Sequence, residues 1–203
     1  MRTIWTDSFA WMLTVGAAIG LTLLAPTGLS VLGHLPRVAA SDLNKRQLAF
    51  PEDLAADRTL VFVTFMRGQN VDVDHWVEGM GLKESSAVAW MRLRVFDTAS
   101  NRNRDDIESK LQATYTTPDA RASVVPLFTD RDAFARSLGL PSQKHVYAVV
   151  INREGHVLAR AEGLYSREKA DALLERLKPE NDLASTDFFP VSYTHLTLPT
   201  KRI

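Results

Sequence analysis

The side chains able to carry chemistry in this chain are few, and one type is missing. Among its 203 residues there is no cysteine, so disulfide exchange, thiolate metal sites and cysteine nucleophiles are closed to its own residues. The remaining candidates fall in three places. Arg67-Gly68-Gln69-Asn70 separates an apolar run from an amphipathic one, and a guanidinium, a small residue and the free N–H groups of a helix start together can receive a carboxylate or phosphate. The plainer reading of the same residues is a solvated Arg67 and an Asn70 that caps the helix. Asp72, Asp74 and His75 offer hard and borderline ligands at short spacing. Two ligands on one turn do not make a site, however, and carboxylates at a helix start also suit the macrodipole. His145 and His156 begin two neighbouring segments and could approach each other or the Arg67 loop. No Ser-His-Asp spacing, phosphate loop or zinc motif is present, so no metal and no cofactor is expected.

The elements that must position these residues follow from apolar periodicity. Leu60 to Met66 (LVFVTFM) is a continuous β-branched and aromatic run, the pattern of a strand buried on both faces. Val73, Trp76, Val77 and Met80 then share one helical face that Gly79 and Gly81 terminate. Ala87 to Phe96 alternates Met91, Leu93 and Val95 with Trp90, Arg92 and Arg94, which predicts a strand with one face less buried; its two arginines could pair with acidic neighbours or a partner, and the plainer reading is a solvated face. Ile107, Leu111 and Tyr115 mark a second helix that Thr117-Pro118-Asp119 ends. Val124 to Phe128 reads as a short strand, placed at an edge by Pro126. Thr129 is expected to cap a short helix running to Gly139. Val146 to Ile151, the turn Asn152 to Gly155, and His156 to Ala161 predict a hairpin, and Ser166 opens a last helix that Pro179 stops.

Composition and the chain ends bound the remainder. With 45% apolar residues and 24 basic against 24 acidic side chains, the chain suits one globular domain plus an appendage, and neither wholesale disorder nor strongly electrostatic nucleic-acid binding. Phe9 to Ala25 carries no charge, so residues 1–40 read as a signal anchor or as a signal peptide cleaved after Ala40. Either reading exports the domain downstream of it, to the periplasmic face of an inner membrane or to the soluble periplasm. Residues 41–57 read as a polar linker with a short strand at Gln47 to Phe50, residues 58–178 as the domain, and 179–190 as a truncated tail. Val191 to Thr200 (VSYTHLTLPT) can be encoded by DNA resembling a transposase-end adapter of sequencing libraries, so 191–203 read as an artefact. Without 1–40 and 191–203 the chain keeps 20 basic and 23 acidic residues.

The order strand, helix, strand, helix, short strand, helix, hairpin, helix over 58–178 resembles a thioredoxin-like domain with an inserted helix, a three-layer α/β/α sandwich on a mixed sheet, here preceded by the N-terminal hydrophobic helix. The segment VYAVVINREGHVLARAEG followed by YSREKADALLERL is similar to the closing half of peroxiredoxin and TlpA-like proteins. Phe65 to Trp76 further resembles uncharacterised bacterial thioredoxin-like proteins with a Phe-Arg-x-x-Gln-x-x-Val-Asp-x-Trp sequence, with spacings that differ by one residue. A distant resemblance extends to cysteine-poor assembly factors of the ATP synthase. Redox members place a cysteine at the first core helix and a cis-proline before the hairpin. Here those places hold Arg67-Gly68-Gln69-Asn70 and Lys144-His145-Val146. The resemblance therefore implies a non-catalytic binding domain, tethered at the membrane, that presents Arg67, Gly68, Gln69, Asn70 and His145 to a protein partner in an assembly or chaperone-like role. The alternative is a non-redox enzyme or sensor that uses the same loop with a small anion or a metal.

Overall fold

We describe residues 32–178 of a computed structural model. The hydrophobic segment before Leu32, the tail and the adapter-like end lie outside them. Among the described residues no helix is long and apolar enough to cross a membrane.

The elements run in the order β1 (Val38–Ser41), β2 (Gln47–Phe50), β3 (Arg58–Thr64), α1 (Gln69–Gly79), β4 (Trp90–Asp97), a 3-10 turn (Thr98–Asn103), α2 (Arg104–Thr114), α3 (Pro118–Ala122), β5 (Val124–Thr129), α4 (Arg131–Ser137), β6 (Tyr147–Asn152), β7 (Val157–Glu162) and α5 (Arg167–Leu177). A five-stranded sheet runs β5-β4-β3-β6-β7. Strand β3 pairs parallel with β4 and antiparallel with β6, and β5 continues the parallel half. The β-branched run of β3 therefore lies at the centre of the sheet, as its composition predicts, and Pro126 sits on the edge strand, where a missing donor is tolerated.

Alternation sorts the side chains into two cores. Val61, Val63, Leu93, Val95, Val149 and Ile151 point to one face, where Phe134 and Leu138 at α4 cover them. Leu60, Phe62, Ala148 and Val150 point to the other, against Val73, Trp76 and Val77 of α1 and Leu173 of α5. Leu111 of α2 closes the β5 end of that second face over Val124. The result is the three-layer arrangement on a mixed sheet, with its hydrophobic layers built from period-two and period-3.6 patterns.

Three local readings need correction. Residues 41–57 carry the expected strand at Gln47–Phe50 but are part of the domain rather than a linker to it: β1 pairs with β2 in register Val38↔Phe50 to Ser41↔Gln47, and Leu48, Phe50 and Leu54 join the first core. Leu35 is only 1% exposed and belongs to that core too, so cleavage after Ala40 would cut within β1 and remove a buried side chain. The backbone around it is tied down as well. Leu32 N–H donates to Val157 O, His34 N–H to Ser137 O and Leu35 N–H to Gly155 O, at 3.1, 2.6 and 2.7 Å. Gly33 passes so close to Leu138 that a Cβ there would collide with its backbone. The short-helix cap is Asp130, not Thr129, with its carboxylate accepting from Ala133 N–H at 2.9 Å. Thr117 does not merely end α2; its hydroxyl accepts from Ala120 N–H and so caps α3.

Candidate binding site

The carboxyl ends of β3 and β4 open beside one another, and the loop Phe65–Gly68 joins β3 to α1 across that opening. Gln69, the first residue of α1, is 3% exposed. Its Oε1 accepts from Phe65 N–H at 2.7 Å and Met66 N–H at 3.1 Å, while its Nε2 donates to Gln143 O at 2.9 Å. One side chain thus fixes the turn after β3 and ties it to the loop before β6. Gln69 is a clasp: it is buried, its carbonyl oxygen is shared by two backbone N–H groups, and its amide nitrogen is tied to Gln143.

Its neighbours do different things. Gly68 is the N-cap with φ −65° and open space where a Cβ would stand, so this site does not depend on glycine's conformational freedom. Asn70 lies inside α1 rather than capping it, and α1 has no side-chain cap. Arg67, Met66 and Val71 are exposed on the outer surface of the loop. The Gln69–Gln143 bond brings the 143–145 segment to the same end of the sheet, where His145 Nε2 stands 3.9 Å from Glu162 Oε1. His156 is at the far end of the hairpin and does not approach His145. Its ring packs edge-on to His34 at 5.3 Å. Asp74 turns to Arg92 instead of to Asp72 and His75, its Oδ1 accepting from that guanidinium at 2.7 Å. Burial first, and then the Glu162 carboxylate, push the Tyr147 phenol up from its ordinary value.

The arginines of β4 overturn the solvated-face reading, and Arg92 meets the other one by pairing with Asp74. Both are buried, because α1 and α2 roof the half of the sheet that the alternation left polar. Arg92 lies between the faces of Trp90 and Tyr115, at 5.6 and 5.5 Å from their ring centres. Arg94 opens instead toward a cavity of about 210 Å3 behind the Arg67 loop, whose walls include Thr64, Phe65, Phe96, Ile107 and Lys110. Sequence reasoning missed Arg94 and Thr64. The signal that could have found them was the apolar face of α2, which needs a sheet surface to cover.

A mixed sheet of this order, with α1 leaving the end of the central strand and a hairpin closing the opposite edge, is a thioredoxin-like fold, here without cysteine. Solved structures of the same architecture include BsSco, a member of the Sco family of cytochrome c oxidase assembly proteins, at TM-score 0.50 and 10% identity over 70% of this chain and 91% of that one. Two proteins of Aquifex aeolicus VF5 with proposed roles in electron transfer and electron transport align at TM-score 0.51 and 12% and 11% identity. Both cover 73% of this chain, with 92% and 96% of their own. No protein-family model and no curated protein matches the sequence. The likeness is one of fold.

Proposed function

We propose that this chain is a non-redox, exported thioredoxin-like domain that binds a protein segment at the loop following β3, as a membrane-associated assembly or chaperone-like factor. The observation that carries the reading is the state of that loop. At the start of the first core helix stands Gln69, buried and hydrogen-bonded to three backbone groups, and around it Met66, Arg67 and Val71 face solvent. A fixed loop with an apolar and cationic outer surface suits recognition, because little ordering entropy remains to be lost on binding. Export is supported by the uncharged run Phe9 to Ala25. Retention of residues 32–40 in the mature protein is supported by the burial of Leu35, which favours an anchor or a cleavage point upstream of Leu32 over one after Ala40. Copurification from solubilised membranes with the full chain and with Arg67→Ala tests the reading. At least one protein held by the wild type is expected to be lost from the variant, and identical sets would count against the loop.

A further inference from the structure

Strand β4 sets two arginines under the helices, and only one of them finds a counter-charge. Arg92 donates to Asp74 at 2.7 Å and has aromatic faces on both sides. Arg94, two residues further along the same face, is 8% exposed and makes no hydrogen bond or ion pair with any described residue. Its guanidinium stands 5.5 Å from the centre of the Phe96 ring. Thr64 stands opposite it in the β3–β4 register. That side chain is 3% exposed, and its buried hydroxyl has no partner either.

Both unanswered groups line the same cavity, at the carboxyl ends of two parallel strands, where open α/β sheets bind ligands. A buried guanidinium without an anion is unfavourable, and a chain that keeps one has either a compensating group or a ligand. Burial depresses the basicity of Arg94 most; Tyr115 opposes it, and the charges of Arg67 and Arg92 each add a weaker depression. An arriving anion would relieve that destabilisation. Arg67 and Lys110 add positive charge to the cavity wall, and Asp106, which also lines it, is engaged by Lys110 at 2.7 Å.

We propose that this cavity is a carboxylate-binding site, in which Arg94 grips the carboxylate in its planar fork, the Thr64 hydroxyl donates to it, and Phe96, Ile107 and Leu111 receive a short apolar tail. The fork matches a carboxylate in two parallel hydrogen bonds. Walls that are mostly apolar suit a ligand charged at one end. The same chemistry is offered by a free short-chain acid and by the C-terminal carboxylate of a peptide.

Thermal unfolding of the full chain at constant ionic strength tests this, with butyrate, butyramide, acetyl-Ala-Leu and its C-terminal amide as probes. A probe that binds only the native state raises its stability, and a saturable rise of about 5 °C is expected from a carboxylate well above its Kd. The amides should give none. A rise with butyrate alone assigns a free acid, and one with the peptide alone assigns a peptide terminus. Arg94→Met should fold at least as stably as the wild type and lose the response, and Arg94→Lys should bind about ten-fold more weakly by calorimetry. The lysine variant keeps the test open if the methionine variant does not fold. No response to either carboxylate, an equal response to the amides, or a response undiminished in the Arg94 variants would overturn the assignment.

Discussion

Gln69 connects three backbone groups that would otherwise be left without partners at the most constrained turn of the fold. Replacing it with Leu keeps the volume and removes all three bonds, so a loss of about 2–4 kcal/mol is expected in urea unfolding. Asn70→Ala, one residue on, should stay within about 0.5 kcal/mol, because that side chain makes no comparable contact. Tyr147 gives a pH signature. Its phenol is held protonated above the ordinary value of 10.0, so the stability it contributes is full below that value and declines as pH rises through the raised one. Tyr147→Phe should remove that component of the alkaline loss, as read from unfolding midpoints between neutral and strongly alkaline pH. Of these residues, the loop containing Gln69 was legible in the sequence, but its role was not. A glutamine at a helix start reads equally as ligand or surface until the backbone it reaches is known. Arg94 was hidden for a related reason: strand alternation shows which side chains share a face, and only the packing of α2 shows whether that face meets water.

At the scale of elements, strands β3, β4, β6 and β7 were legible because the continuous apolar run of β3, the alternation in β4 and the Asn152–Gly155 turn between β6 and β7 are strong signals. Of the β1–β2 hairpin, β2 was read at Gln47–Phe50 but β1 and the pairing were not. Its strands are four residues each, too short for periodicity to speak, and its anchoring comes from Leu35, Leu48 and Phe50 entering a core built by residues far along the chain. Leu35→Ala is expected to cost about 2–5 kcal/mol. A form beginning at Ser41 should be destabilised further than one beginning at Leu32, since it also loses one strand of the hairpin. Equal unfolding midpoints for the two forms would place the N-terminal boundary after Ala40 after all.

The molecule as a whole joins a thioredoxin-like scaffold without thiols to a surface that faces outward at the carboxyl end of its sheet. Fold-level likeness carries no activity with it, and the absence of cysteine removes the chemistry most often associated with this scaffold. The recognition proposed for it would use Met66, Arg67 and Val71 on the outside, with Gln69 holding the loop in place. The most direct test introduces a photocrosslinking side chain at Met66 or Val71 in the full chain expressed in a Gram-negative host, with Glu154 at the opposite end of the sheet as the control. A discrete protein adduct from Met66 and Val71 is expected, absent from Glu154 and lost when Arg67 is changed to Glu. Adducts that form equally from all three positions, or that persist in Arg67→Glu, would contradict a binding surface at this loop.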